Sequence, residues 1–484
     1  MGAFSTFREG SQRSAFGENM VVQPAPHFLL SFAYNINAQI VDTRGNTSGG
    51  VTQSAGYALV SSGAAANSAA YMLSKRLIKY DPGRGAFIRF AAKYTTGVAN
   101  NTQFAGYGDA ADGFFFGYSG ATFGILRRYG GAVETRTLTI TTASSTTESV
   151  TVTLDGVAKT VSVTNSGVIT TTVNEIAAGD YSDTGKGWTA EAHGNTVIFT
   201  AYDTGAHAGS YSISGTTVVG SFAQTIAAAA PTETFTAQTA WNGDLANNTN
   251  VLPTIDFTKG NVYQIQFQWL GSGAIEFAME NPETGEFITV HRIKYANSAT
   301  TTSILNPSLP FYVESINTTN DSAIVISISS AGGYKEGQGD GITVAGGFIA
   351  TKTGITTEVP VGSVKNLSIF QSKKNRVPVK LIFNTVASDG TKTVLFRIYK
   401  NATLTAASWT AVGANTSVMA TDSSASAFSG GTLIFGASLA KVDTQLLDFT
   451  PLEIILHPGE SFTVTAASTV STDTDVGFSW AEQF

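Results

Sequence analysis

Glu276 and Glu280 are the sharpest pair of residues in this sequence with the makings of a reactive centre. A polysaccharide hydrolase needs one carboxyl group as acid and a second as nucleophile or base, and residues four apart on a strand share a face. The catalytic pattern Glu-x-Asp-x-Glu would set a third carboxylate between them, where this chain has Ala278. Four residues of strand also hold two Cα atoms about 13 Å apart. No catalytic residue is therefore expected. Asp109 and Asp112 lie in a glycine-flanked loop; calcium ligation is one use for them, and hydrogen bonds to their own loop backbone explain them without an ion. The histidines, His27, His193, His207, His291 and His457, are scattered with no His-x-His or His-Glu-x-x-His spacing, so no metal site is expected.

Other motifs are missing as well. No Gly-x-Ser-x-Gly elbow supports a serine nucleophile, and with no cysteine in the chain there is neither a thiol nucleophile nor a disulfide framework. The glycine-rich stretches contain neither Gly-x-x-x-x-Gly-Lys-Ser/Thr nor a strand-to-helix Gly-x-Gly-x-x-Gly, so no nucleotide or other cofactor is expected. Trp188 and Trp241, set among Gly, Asn and Asp, are the tryptophans least suited to a core and the candidates for stacking on a sugar. Arg127 and Arg128, at the end of an apolar run, read as a solvated strand end.

The elements that would position these groups are nearly all strands. Short β-branched and aromatic runs alternate with Gly, Asn, Asp and Pro turns, as in antiparallel sheets. Residues 86–94, 104–107, 113–118 and 123–128 read as consecutive meander strands. In 261–269, alternation places Tyr263, Ile265, Phe267 and Trp269 on one face. Residues 274–279, 286–295 and 324–329 continue that sheet. From Val133 to about Ala230 the texture changes to Thr-rich strands with a hairpin at Asp155-Gly156 and a short helix at 171–178. This suits a small α+β domain inserted in a surface loop. After Gly346-Gly347, seven or eight short strands suggest a β-sandwich or jelly roll with a buried terminal strand.

The expected fold is thus mainly β. It comprises a lectin-like antiparallel β-sandwich (33–132 with 231–345) interrupted by a small inserted domain (133–230), followed by a C-terminal sandwich or jelly roll (346–484). Residues 1–32, weakly periodic and carrying Pro24 and Pro26, read as an arm that orders on a partner.

Composition limits the partners. The 484 residues include only 13% charged residues, against roughly 25% in ordinary soluble domains, so the surface is largely uncharged and hydroxyl-rich. A net charge of −7 leaves no basic patch for nucleic acid. Residues 1–18 contain no apolar export segment and no long apolar run occurs, so no membrane partner is expected.

Several stretches resemble virion structural proteins of tailed bacteriophages and some large DNA viruses. They are Ala15–Glu18, Ser61–Ser68, the block Gly108–Tyr118 and Lys259–Ile265. The resemblance covers about residues 10–340 and implies a fibre, spike, capsid-decoration or minor capsid protein without catalytic activity, located in the virion and assembled in the host cytoplasm. The chain is expected to assemble as a homo-oligomer, with a trimer favoured, to dock on other virion proteins through the N-terminal arm, and to be free to contact a host surface glycan. The competing readings are a polysaccharide-degrading virion enzyme and a secreted glycan-binding adhesin.

Overall fold

The computed structural model describes residues 25–268, 270–337 and 343–484. The chain is mainly β, its sheets antiparallel throughout. It divides into two compact units: residues Met1–Val133, Tyr202–Ala206 and Ala228–Gly339, and residues Glu134–Ala201, His207–Ala227 and Asp340–Phe484.

The first unit is a two-sheet sandwich. One sheet runs in the order Phe287–Ile293, Ile275–Glu280, Asn261–Phe267, Ala86–Tyr94, Val325–Lys335, Tyr57–Ser61, Gly50–Ser54. The other runs Thr232–Ala237, Thr122–Tyr129, Gly113–Ser119, Asn101–Gly108, Phe311–Asn317, Ala69–Ser74, Val41–Asn46. Inward-facing aromatics fill the space between them, with Phe90, Tyr94, Phe116, Tyr263 and Phe277 all at most 2% exposed. Alternation in Asn261–Phe267 works as expected for Tyr263, Ile265 and Phe267, while Trp269 lies outside the described residues.

Three expectations change here. Ala86–Tyr94 is not part of the meander: it pairs with Asn261–Phe267 and with Val325–Lys335, so the chain changes sheet before Asn101. Local pattern marks a strand, but its neighbours are set by non-local pairing. The segment expected as an arm ends in a strand of the sandwich, Ala25–Ser31, paired with Val325–Lys335 because Phe28, Leu30 and Phe32 find places in the core. The rest of that arm, residues 1–24, lies outside the described residues. Residues Tyr202–Ala206, expected within the insert, cluster with the first unit, where Tyr202 packs edge-on against Tyr71 at 6.1 Å.

Among the described residues the second unit contains two large cores and a small apolar cluster of Ala402, Leu404, Ala407 and Ala425. In the first, a sheet ordered Trp188–His193, Thr196–Ala201, Thr135–Thr142, Val219–Ile226 and a sheet ordered Val157–Val163, Glu148–Leu154, Ser212–Ser214 pack with the helix Ile169–Ala177. Asp155 (φ 53°) and Gly156 (φ 78°) form the expected tight hairpin. The second core lies in a sandwich of five and six strands around Trp480, Phe462 and Phe478. The terminal strand Thr472–Glu482 is central, between Val344–Ile355 and Val379–Ser388.

The insert does not stand alone as expected. It clusters with the C-terminal sandwich, tied to it by the Lys365 ammonium, which donates to the Ala192 carbonyl at 2.7 Å and pairs with the Glu191 carboxylate at 2.6 Å. Nor does Gly346-Gly347 mark a boundary. Both glycines lie inside the strand Val344–Ile355, where a Cβ on Gly346 would stand 2.5 Å from the Trp480 indole; glycine is there for close approach, not for a break.

Candidate functional site

The residues singled out by type are mostly engaged in holding the fold. Glu276 and Glu280 share a face of Ile275–Glu280, whose pairing with Phe287–Ile293 has a bulge that leaves Val290 of that neighbouring strand as the extra residue. Glu276 is occupied by Arg292 at 2.7 Å and by the Thr289 hydroxyl. Asp109 accepts the amides of Ala111 and Asp112 at 2.8 and 3.1 Å, and Asp112 accepts those of Gly130 and Leu305 at 2.9 and 3.2 Å. Asp109 thus staples its own loop, the backbone use anticipated for the pair, whereas Asp112 ties that loop to two distant segments. Among the described residues, no group of three or more His, Asp or Glu side chains is placed to hold a metal ion.

Arg127 and Arg128 are not a solvated end. Arg127 donates to the Ser303 carbonyl and to the Tyr295 hydroxyl, at 2.8 and 2.6 Å. Arg128, 6% exposed, forms a fork on Glu314. Burial opposes its charge, yet the Glu314 carboxylate raises its pKa above the usual guanidinium range. Nor do the two chosen tryptophans reach solvent. Trp188 is 1% and Trp241 5% exposed, because each lies beneath strands from elsewhere in the chain. Trp188 donates its indole N–H to Asp155 at 3.0 Å, and Trp241 packs edge-on against Phe116 and Phe123.

A hollow site is present elsewhere. Two adjoining cavities in the second unit, of about 370 and 570 Å³, share Thr170, Gly194, Ala407 and Trp409 in their walls. Small-molecule sites fall in the range of roughly 300–1,000 Å³. Three separated stretches build this groove. The helix Ile169–Ala177 buries Val173 and Ile176, which turns Thr170 and Asn174, one turn apart, to the groove. The strand Trp188–His193 is the edge of its sheet, and Glu191 and His193 emerge from one side of it. The loop Ala406–Trp409 closes the third wall.

Each wall is fixed. Asn174 donates to the Leu404 carbonyl at 2.6 Å. The buried Asp422 carboxylate accepts the Ser408 amide at 2.7 Å and the Ala425 amide at 3.1 Å, pinning the loop that carries Trp409. Trp409 packs against the cluster of Ala402, Leu404, Ala407 and Ala425 and is half-buried. Lys365 lies 5.9 Å from the Trp409 ring centroid and is balanced by Glu191. Burial, reinforced by the positive charge of Lys365, lowers the His193 pKa and keeps the imidazole neutral at neutral pH. His193 Nε2 and Thr170 Oγ1 are buried without a hydrogen-bond partner among the described residues. The sequence signal for Trp409 was weak: it stands in Ala406-Ala407-Ser408-Trp409-Thr410, among small residues that cannot cover an indole.

No protein-family model matches the chain and no curated protein matches it. Among solved structures it is similar to the metal-free form of lectin I-B4 from Griffonia simplicifolia, with 10% identity over 64% of this chain and 99% of that one and a TM-score of 0.24. Lectin II from Ulex europaeus gives 10% identity, coverages of 64% and 100%, and a TM-score of 0.23. Infectious bursal disease virus, Gx strain, gives 8% identity, 84% coverage of both chains and a TM-score of 0.13.

Proposed function

We propose that this chain is a non-catalytic structural component of a virion surface, of the fibre, spike or capsid-decoration kind, which assembles as a homo-oligomer and meets a host surface glycan. The reading is supported by how its charged groups are employed: Arg128 with Glu314 and Glu276 with Arg292 are joined in ion pairs, and Asp109 and Asp112 accept backbone amides. Rigid antiparallel sandwiches with a sparsely charged surface suit a protein that works by shape and contact area. The stretches Gly108–Tyr118 and Lys259–Ile265 supply the resemblance to virion proteins. Assembly adds stability to a chain without disulfides, which supports the homo-oligomer, and a trimer is the state proposed.

The test is mass spectrometry of purified particles together with the native mass of the isolated protein. Stoichiometric presence in particles and a trimeric solution mass are expected. Absence from the particles would overturn the virion assignment, and a monomer at micromolar concentration would overturn the oligomer.

A further inference from the structure

We infer that the groove around Trp409 is a binding subsite for a neutral saccharide, in which one pyranose ring packs against the part of the indole left uncovered. This rests on the part of the functional reading that has the protein meet a surface glycan, and not on the part that puts it in a particle.

Four observations point to that ligand class. Trp409 is half-buried, packed against a small apolar cluster and carried on a loop pinned by Asp422, so the indole is held in place with part of its apolar surface left for sugar C–H groups to cover. Thr170 and His193 stand in the cavity walls, and Thr170 Oγ1 and His193 Nε2 are buried without a partner among the described residues. Buried polar groups ordinarily have partners. Sugar hydroxyls are donors and acceptors at once, and so serve both a threonine hydroxyl and a neutral imidazole. Glu191 adds a carboxylate acceptor, the group that most strongly receives hydroxyl donors. Lastly, the Lys365–Glu191 pair at 2.6 Å balances the charge in the wall, so an anionic ligand finds no excess positive charge there.

The two cavities share their central wall, which leaves room for more than one ring, as in an oligosaccharide. Trp409 and Thr170 belong to both compartments and would contact two successive units. Glu191 serves only the first cavity and His193 only the second. Specificity for one hydroxyl configuration would therefore differ between the two positions.

The probes are the methyl glycosides of glucose, galactose, mannose and N-acetylglucosamine, followed by their linear tetrasaccharides, added to the full chain. Saturation-transfer NMR and tryptophan fluorescence report binding. At least one probe is expected to bind, with the tetrasaccharide tighter than the monosaccharide. Trp409→Ala should weaken it tenfold or more, Trp409→Phe by less, and Thr170→Val a few-fold, with circular dichroism unchanged. Should no probe bind the native chain, or should water alone occupy the groove in a crystal soaked with the tetrasaccharide, the inference falls. Equal binding by native protein and Trp409→Ala would leave the glycan contact standing and move the site elsewhere. Absence from particles together with Trp409-dependent binding would sink the virion assignment and leave this site intact. Because Thr170→Val is nearly isosteric, its result stays readable if the tryptophan variants misfold.

Discussion

Arg128 and Glu314 meet as a two-pronged ion pair in the first unit, Nη2 to Oε1 at 2.7 Å and Nη1 to Oε2 at 3.2 Å, with side chains 7% and 3% exposed. Further bonds surround the pair: Arg128 Nε donates to Glu233 at 2.8 Å, Nη1 also donates to the Asp109 carbonyl, and the Tyr312 hydroxyl donates to Glu314 at 2.9 Å. Breaking a buried pair leaves a charge without compensation. Arg128→Ala or Glu314→Gln should each cost about 3–5 kcal/mol, read as a shift in urea midpoint. The joint change Arg128→Met with Glu314→Leu should recover most of it. A single variant within 1 kcal/mol of native would mean that water already reaches the pair.

His27 makes the first unit sensitive to acid. Burial, then the charges of Lys335 and Arg76, lower its pKa from 6.5 to about 3. Between these values the unfolded chain binds a proton that the folded chain does not. Stability therefore rises with pH across that window and is lost as pH falls from about 6.5 towards 3. Urea midpoints at pH 7 and 4.5 should differ more in native protein than in His27→Asn. Parallel pH dependence in the two would assign the acid sensitivity to other groups.

Asp155 clasps the inserted segment. Its carboxylate receives Trp188 Nε1 at 3.0 Å, His207 Nδ1 at 2.8 Å and the Tyr211 hydroxyl at 2.5 Å. Burial would raise its pKa, but the bonds from His207 and Tyr211 prevail and lower it. The resulting stability is present above the ordinary carboxylate range and lost as pH falls through the lowered value. Asp155→Ala should cost about 2–4 kcal/mol. Asp155→Asn should cost less, since asparagine tolerates the positive φ of this turn. Near-ultraviolet circular dichroism of Trp188 would follow the loss.

Gly117 is fixed by close approach. A Cβ there would stand 1.8 Å from the Gln103 carbonyl oxygen on the paired strand. Gly117→Ala should destabilise the sandwich by about 3 kcal/mol. A thermal midpoint equal to native would show that the two strands separate freely.

Glu276 separates the structural reading from the enzymatic one. Its ion pair with Arg292 is partly exposed, with side chains 34% and 47% accessible. Glu276→Gln should therefore change stability by about 0–1 kcal/mol. Neither native protein nor this variant should release reducing ends from capsular or cell-wall glycan. Release by native protein and loss in Glu276→Gln would establish a hydrolase.

What the sequence determined by itself is local. Alternating large apolar residues placed Tyr263, Ile265 and Phe267 in a core, Asp155-Gly156 specified a hairpin, and the spacing of Val173 and Ile176 specified a helix. These features depend on side-chain period and on the φ a turn requires, both legible in a few consecutive residues. The tertiary structure decided which residues are covered. Trp188 and Trp241 sit in polar stretches and are buried, whereas Trp409 stands half-open, because burial is set by strands that arrive from elsewhere in the chain. The same reason turned Arg128 from a strand end into the partner of Glu314, 186 positions away. It also built the groove from Thr170, Glu191 and Trp409, whose neighbourhood no local window contains.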